Sequence, residues 1–303
     1  MLPVASHPKI KSGIYGLNSM LDGGLNEHSS TVVIGASGAG KTTLATQFLR
    51  RGLADGQEGI YITLDEPPEQ IIREAQMMGF EDIQHALEEE QFIFIDASGK
   101  QFREFILKEL QDFVSSWGSS DARIVIDPLT PVLWATPTKY EQRELLSFLF
   151  KQAKRIGTLL ATLEEHSSEG DLSAQETVIP MYLADNIIHL QSHISGEVIS
   201  RTARVLKTRS SKHSNLIAPY EIRRGLGVVV RPRVRGQVPA ETGIDFGAQW
   251  KRLLHERVND RDLPAGSAAR VRQLFEDIDP DPLLGMSPQE LLELILEDAG
   301  KHR

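Results

Sequence analysis

At 303 residues the chain is long enough for one large domain and a smaller appendage, because single hydrophobic cores stop growing at about 250–300 residues. Its 40% hydrophobic and 25% charged residues exclude the disordered and fibrous classes. Basic residues number 33 and acidic residues 42, so the formal net charge is −9 and any contact with nucleic acid needs a local basic patch.

Cysteine usage and hydropathy indicate where the protein works. The chain contains no cysteine, which excludes a disulfide framework and a thiolate zinc site. The segment Met1–Ser12 has no apolar core of signal-peptide length, and no stretch reaches the roughly 20 apolar residues of a membrane helix. We therefore expect a cytoplasmic protein that does not enter the membrane.

Short apolar runs alternate with helical patterns through the first two thirds of the chain. This alternation is typical of a mostly parallel α/β sheet covered by helices. The predicted strands are Thr31–Gly35, Gly59–Leu64, Phe92–Asp96, Arg123–Asp127 and Thr158–Leu163. Apolar residues spaced three and four apart predict the helices Lys41–Ala54, Pro68–Met78, Lys100–Trp117 and Tyr140–Arg155.

After Ala184 the pattern becomes that of β-hairpins, which we expect to extend the sheet in antiparallel fashion. These strands are predicted at Asn186–Gln191, Ile199–Thr208, Tyr220–Ile222 and Gly227–Val230. We assign residues 1–230 to the main domain, 231–242 to a linker rich in proline, glycine and arginine, and 243–303 to a small helical appendage. The appendage helices are predicted at Trp250–Val258, Ser267–Phe275 and Pro288–Ala299, the last beginning with a capping box of Ser287 and Glu290.

One glycine-rich segment, between a predicted strand and a predicted helix, matches the phosphate-binding motif G-x-x-x-x-G-K-[ST]. Its glycines allow backbone N–H groups to converge on a phosphate, and the helix N-terminus adds partial positive charge. Lys41 is expected to reach the β- and γ-phosphate oxygens, and Thr42 to bind Mg²⁺. The predicted nucleotide-binding residues are Gly35, Ala36, Ser37, Gly38, Ala39, Gly40, Lys41, Thr42 and Thr43. The motif therefore predicts ATP and Mg²⁺ as ligands.

Acidic residues end two of the predicted strands. Asp127 closes one of them, at the sheet edge where open α/β sheets bind ligands, and beside a phosphate loop we assign it to Mg²⁺. Asp65 and Glu66 follow another strand, so one of them is a candidate to orient the attacking water. The residues alone leave a second explanation equally open, in which this pair only stabilises a helix N-terminus.

Taken together, residues Gly13–Val230 resemble one domain of the KaiC-like branch of the RecA-type ATPases. The resemblance rests on several motifs in one order: Gly23-Gly24-Leu25, the phosphate loop, Asp65-Glu66, Met78-Gly79-Phe80, Ile126-Asp127-Pro128-Leu129-Thr130, and Lys207-Thr208-Arg209 with His213. It implies a RecA-like fold, hydrolysis of ATP, and water activation by Asp65 and Glu66.

The resemblance also implies assembly into a homo-oligomeric ring, with a hexamer as one candidate. In such a ring Lys207 and Arg209 reach the γ-phosphate held by the next subunit, as an arginine finger does. The residues alone leave open an ordinary charged strand edge at this place. The expected role is signalling or regulation through nucleotide-controlled binding of a regulatory protein that the sequence does not identify.

The chain departs from the family pattern at four places. Asp65 stands where the family usually has glutamate, and Ser210 replaces a glycine after the finger arginine. A Thr-Thr-Glu segment appears here as Leu163-Glu164-Glu165, so Glu164 either points away from the γ-phosphate or slows turnover. Met181 and Tyr182 occupy the positions of the phosphorylated Ser/Thr pair, so we do not expect autokinase activity of the clock type.

Two other functions compete with this one: a recombinase-like ATPase that assembles on DNA, and a nucleotide-binding scaffold that does not hydrolyse ATP. The candidate DNA loops, Ala135–Tyr140 and His166–Pro180, carry one lysine and several acids, so we do not expect nucleic-acid binding. The intact set of Lys41, Thr42, Glu66 and Asp127 argues against the scaffold. A basic cluster could meet phosphates or the acidic C-terminal helices; it consists of Arg223, Arg224, Arg231, Arg233 and Arg235.

Overall fold

A mixed sheet forms the centre of the protein and is covered by helices. The computed structural model describes residues 8–97, 105–118, 121–134, 136–166, 172, 175–195, 198–232, 250 and 286–299. Within these residues the strands are β1 Lys9–Ile10, β2 Leu25–Asn26, β3 Ser30–Gly35, β4 Gly59–Thr63, β5 Phe92–Asp96, β6 Ala122–Asp127, β7 Gly157–Glu164, β8 Asn186–Ser195, β9 Val198–Thr208, β10 Ala218–Arg223 and β11 Gly227–Val230. The helices are α1 Leu17–Met20, α2 Lys41–Ala54, α3 Pro68–Met77, α4 Asp82–Glu88, α5 Leu110–Ser116, which follows a π-helical turn at Phe105–Glu109, α6 Thr130–Trp134, α7 Lys139–Ile156, α8 Gln175–Leu183 and α9 Pro288–Ala299.

The main sheet has nine strands among the described residues, in the order β11-β10-β9-β8-β3-β7-β6-β4-β5. The strands from β8 to β5 are parallel, and β9, β10 and β11 extend the sheet in antiparallel fashion. β1 and β2 form a separate two-stranded sheet. The predicted RecA-like α/β fold is confirmed, and strands β3 to β7 and helices α2, α3 and α7 lie within a residue of their predicted ends.

One predicted strand direction is wrong. The strand that begins at Asn186 was expected to be antiparallel, yet β8 runs parallel to β3, with Thr31 opposite Asn186 and Gly35 opposite Leu190. The reason is α8, which gives the chain the crossover that parallel neighbours require. The segment His166–Pro180 was predicted as a candidate DNA-binding loop, but it is helical from Gln175, while residues 167–171, 173 and 174 lie outside the described residues.

Both faces of the sheet are buried, which explains why its parallel strands are almost entirely apolar. Along β3, Val33 joins the hydrophobic cluster that contains Phe48 of α2. The residues on either side of it, Val32 and Ile34, join the cluster on the opposite face, which contains Leu146 of α7. The alternation fixes the path of β3 and therefore the point at which the chain leaves the sheet at Gly35.

The last helix, α9, packs against the main domain. Its residues Leu291, Leu292 and Ile295 form a cluster with Tyr15 and Val229. The predicted capping box is present, since the Ser287 N–H donates to Glu290 Oε2 at 2.7 Å and the Glu290 N–H donates to Ser287 Oγ at 3.2 Å. The predicted linker beyond Pro232 and the helices at Trp250–Val258 and Ser267–Phe275 lie outside the described residues, apart from Trp250. The division into 1–230, 231–242 and 243–303 stays a prediction.

A buried carboxylate attaches α9 to the beginning of the chain and to α2. Asp298 Oδ1 accepts hydrogen bonds from the Gly13 N–H at 3.1 Å and from Asn18 Nδ2 at 2.7 Å. Asp298 Oδ2 lies 3.3 Å from Arg51 Nη1, and Arg51 also pairs with Asp55. Both charged side chains are removed from water, since only 6% of the Asp298 side chain and 8% of the Arg51 side chain are exposed.

Asp298→Ala should therefore weaken the docking of α9. The substitution leaves the Gly13 N–H and Asn18 Nδ2 without their acceptor and removes one of the two carboxylates that pair with Arg51, and breaking one side of a buried ion pair costs about 3 kcal/mol. We expect a loss of this size in denaturant unfolding, together with faster proteolysis within residues 286–299. The matched control is Glu293→Ala on the exposed face of the same helix, which should change stability by less than about 0.5 kcal/mol. Equal effects of the two substitutions would contradict the assigned role of Asp298.

Candidate functional site

The phosphate loop connects β3 to α2 and is built on close backbone contacts. A Cβ atom at Gly35 would lie 2.8 Å from the Leu190 carbonyl oxygen. Gly40 has a φ of 84°, and a Cβ atom there would lie 2.6 Å from Ile222 Cδ1. The Tyr220 hydroxyl donates to the Ala39 carbonyl oxygen at 2.8 Å, which holds this carbonyl against β10. The motif is therefore folded as its sequence predicts, with glycine required at its first and sixth positions.

Lys41, the cation of the loop, is largely buried. Its Nζ donates to the Ala36 carbonyl oxygen at 3.0 Å, so the side chain folds back over the loop. Burial lowers the pKa of Lys41, and the negative charges of Glu164, Asp127 and Glu165 oppose this effect. An anion bound in the loop would also raise the pKa of Lys41 and so stabilise its charged form. The arrangement therefore favours a phosphate ligand.

A cavity of about 350 Å³ lies beside the loop, where the carboxyl ends of several parallel strands meet. It brings the predicted phosphate-binding, metal-binding and water-activating residues together. The lining residues are Ser37, Gly38, Gly40, Lys41, Thr42, Thr43, Asp65, Glu66, Ile71, Glu74, Met78, Asp127, Pro128, Glu164 and Ile222. Most of them carry charged or polar groups, while Ile71, Met78 and Ile222 give the cavity an apolar wall.

Asp127 ends β6 in the cavity, and its carboxylate is held by two hydroxyl groups. Its Oδ2 accepts a hydrogen bond from the Tyr61 hydroxyl at 2.8 Å, and its Oδ1 accepts one from Thr162 Oγ1. Burial, followed by the charge of Asp127, raises the pKa of Tyr61 well above its ordinary value, so the hydroxyl remains a donor. A carboxylate and the Thr42 hydroxyl are oxygen ligands of the kind Mg²⁺ prefers, so the donor set fits this cation.

Asp65 and Glu66 follow β4 and face the cavity, and they do not cap α3. The residue before that helix is Pro67, no side chain makes a capping hydrogen bond there, and the acid in the first turn is Glu69. Partial burial, then the charges of Glu74, Asp127 and Asp65, raise the pKa of Glu66. A glutamate with a raised pKa accepts a proton more readily, as water activation requires, and this role stays a prediction.

Glu164 ends β7 and lines the cavity, so of the two alternatives the one in which it points away does not hold, and slower turnover stays a prediction. Its N–H donates to Thr130 Oγ1 at 3.1 Å, which fixes the backbone there. Of the carboxylates near Lys41, Glu164 has the largest effect in raising that pKa. The next residue, Glu165, is buried and its Oε2 lies 2.8 Å from His189 Nε2, so His189 is a core residue with a hydrogen-bond partner.

Lys207 and Arg209 do not line the cavity. Thr208, which lies between them, pairs with Asn186, and Asn186 pairs with Thr31. Lys207 and Arg209 therefore lie at the edge of the sheet where β3 begins. That edge is opposite the phosphate loop, about 13 Å along the strands. Lys207 Nζ donates to the carbonyl oxygens of Met181 at 3.0 Å, Tyr182 at 3.1 Å and Ala184 at 2.6 Å, and Arg209 Nη2 donates to that of Tyr182 at 2.9 Å. The finger assignment stays a prediction.

The remaining predicted features have local explanations. Ser210 has a φ of 60°, the left-handed conformation that a glycine would adopt with less strain. In the basic cluster, Arg223 lies 3.2 Å from Glu221, and Arg231 lies 3.5 Å from Glu290 of α9. The second pair supports the expectation that the cluster meets the acidic C-terminal helix, while residues 233 and 235 lie outside the described residues.

No described helix is long and apolar enough to cross a membrane.

The fold and the phosphate loop place the chain in the class of RecA-like P-loop ATPases. A family model described as "ATPase: KaiC" matches residues 10–235, and the chain belongs to this family. It is 27% identical to the circadian clock protein KaiC3 of Synechocystis sp., over 74% of this chain and 46% of that protein. It is 29% identical to the circadian clock oscillator protein KaiC of Parathermosynechococcus lividus, over 71% of this chain and 41% of that protein. The matching region spans less than half the length of these relatives. Membership of this family implies nucleotide binding.

Glu164→Gln is expected to strengthen binding of a non-hydrolysable ATP analogue more than binding of ADP. The substitution removes a negative charge that repels the γ-phosphate, and at an effective dielectric constant of about 20 two unit charges even about 12 Å apart repel by about 1.4 kcal/mol, so the gain should be about tenfold or more. Calorimetry measures both affinities. Lys41→Ala should have the opposite effect and abolish binding.

The matched control is Glu88→Gln, an exposed carboxylate at the end of α4. It should leave both affinities unchanged. If Glu164→Gln behaves like this control, Glu164 does not face the phosphates. Near-normal binding by Lys41→Ala would remove the nucleotide-site assignment itself.

Proposed function

We propose that the protein is a Mg²⁺-dependent ATPase, an ATP phosphohydrolase that forms a homo-oligomeric ring in the cytoplasm. The observation that carries this proposal is the convergence of Lys41, Thr42, Glu66 and Asp127 on one cavity. The four residues come from three separate elements, and hydrolysis of a nucleoside triphosphate needs all the groups they supply. A scaffold that only binds nucleotide would not need Glu66 beside the other three.

The residues of the cavity have distinct roles in the proposed reaction. The loop residues Gly35 to Thr43 bind the phosphates through backbone N–H groups, and Lys41 stabilises negative charge on the oxygens being transferred. Thr42 and Asp127 would hold Mg²⁺, which supplies charge stabilisation when it is bound. Glu66, assisted by Asp65, orients a water molecule and accepts its proton as the water oxygen bonds to the γ-phosphorus. The bond to the β-phosphate oxygen breaks, and ADP and phosphate are the products.

The position of Lys207 and Arg209 supports a site shared between subunits. Both lie at the sheet edge opposite their own loop, so neither completes its own cavity. Half of the Arg209 side chain is exposed; its Nη2 donates to the Tyr182 carbonyl oxygen at 2.9 Å, and its Nη1 lies 4.0 Å from Asp185 Oδ1, a carboxylate that pairs more closely with Lys154 at 2.6 Å. A phosphate of a neighbouring subunit is a stronger partner for a guanidinium than this carbonyl. A second copy of the chain is therefore the proposed source of the finger.

The proposed biological role is regulatory, with the nucleotide state controlling the binding of a protein partner. The relatives are named as circadian clock proteins, but the chain matches less than half of each of them. Met181 and Tyr182 stand at the positions where the family carries its phosphorylated pair, so we propose that this protein does not phosphorylate itself in that way. The recombinase alternative is not favoured, since the relatives are KaiC proteins and the two candidate DNA loops together carry one lysine and three acids.

Size-exclusion chromatography with light scattering, with and without Mg·ATP, together with phosphate release, tests the proposal as a whole. A ring that releases phosphate is the expected result. A monomer with full activity would contradict the shared site, and a protein that binds ATP without releasing phosphate would support the scaffold instead.

Glu66→Gln should bind Mg·ATP normally and lose turnover by about 100-fold or more, because the substitution removes only the proton acceptor. Asp65→Asn, the same change at the neighbouring residue, should show a smaller loss. Single-turnover hydrolysis and calorimetry separate chemistry from binding. If both variants hydrolyse at the parental rate, the water is activated elsewhere.

Arg209→Ala should bind nucleotide and lose hydrolysis, and mixing it with Glu66→Gln should restore activity. Each inactive protein offers the group that the other lacks, so about one quarter of the interfaces in a randomly mixed ring would be complete. Exchange of subunits is confirmed beforehand with fluorescently labelled protein. Exchange without recovery of activity would show that Lys207 and Arg209 form only a charged strand edge.

A further inference from the structure

We propose that Tyr61 and Thr162 are positioning residues for metal binding, which they control by holding the carboxylate of Asp127 from both sides. The inference rests on the proposed function, since it assumes that Asp127 faces Mg²⁺. It concerns two residues that carry no charge and that sequence motifs do not mark.

The three side chains come from three neighbouring strands. Asp127 lies on β6, Tyr61 on β4 and Thr162 on β7, and β6 pairs with both of the other strands. Tyr61 donates to one carboxylate oxygen at 2.8 Å, and Thr162 donates to the other. Because each oxygen has its own donor on a different strand, the carboxylate plane cannot rotate without breaking a hydrogen bond.

Burial makes these two hydrogen bonds necessary. Asp127 is 6% exposed, Tyr61 1% and Thr162 0%, so water cannot replace either donor from the strand side. A buried carboxylate without hydrogen bonds is strongly destabilised. Hydroxyl donors satisfy the oxygens without neutralising their charge, and Asp127 forms no salt bridge within the described part of the chain. The negative charge therefore stays available to a cation in the cavity.

Conservative substitutions remove each hydroxyl and keep the packing. Tyr61→Phe retains the ring, whose centroid lies 4.7 Å from that of Phe94, and Thr162→Val retains the branched shape. Mn²⁺, with ADP present, is the probe, and electron paramagnetic resonance gives its affinity. ADP affinity in EDTA is measured in parallel. Each variant should lower the Mn²⁺ affinity by about tenfold while the metal-free ADP affinity stays the same. Thr162→Ser, which keeps the hydroxyl, should restore the affinity.

Two further variants make the outcomes separable. Tyr220→Phe is the control, because it also removes a buried tyrosine hydroxyl beside the loop, but one that donates to the Ala39 carbonyl oxygen and not to Asp127. Any change in ADP affinity should therefore be the same with and without metal. Asp127→Asn tests the underlying metal assignment. If it leaves Mn²⁺ affinity unchanged, the proposed metal role of Asp127 fails. If it lowers Mn²⁺ affinity while Tyr61→Phe and Thr162→Val do not, the metal role stands and the positioning inference is overturned.

Discussion

The parallel pairing of β3, β4, β6 and β7 is the constraint on which the candidate site depends. Parallel strands end at the same edge of a sheet, so the residues that follow them are brought together whatever their separation in the chain. The phosphate loop follows β3, Asp65 and Glu66 follow β4, and Asp127 and Glu164 end β6 and β7. None of these residues needs a long loop to reach the cavity, so each is held by a strand whose two faces are buried.

This crowding sets the electrostatics of the cavity. Lys41 is its one cation among the described lining residues, and it faces Asp65, Glu66, Glu74, Asp127 and Glu164. A free nucleoside triphosphate would add several negative charges to five carboxylates, which a single lysine cannot offset. A divalent cation carried with the nucleotide reduces this repulsion. The proposed dependence on Mg²⁺ therefore follows from the charge of the whole cavity as well as from Thr42 and Asp127.

Features that depend on neighbouring residues in the chain were predictable, and those that depend on strand register were not. The phosphate loop combines a motif with an adjacent strand and helix, so its position followed from local sequence. The direction of β8 did not follow from local sequence. It depends on α8, and Pro180 within that helix disfavours a helical prediction for this segment. The hydroxyl partners of Asp127 were also missed: Tyr61 and Thr162 meet it only because β4 and β7 pair with β6 in one register.

The antiparallel strands connect the loop of one subunit to the proposed finger for the next. Tyr220 of β10 bonds the loop at Ala39, and β10 pairs with β9, with Ala218 opposite Ala203. β9 ends just before Arg209, so the loop and the finger residues belong to one continuous sheet. In the proposed ring, a shift of the loop on nucleotide binding would be opposed by the same strands that place Lys207 and Arg209. The two sites of a subunit are then coupled through rigid structure, because a packed sheet resists local deformation.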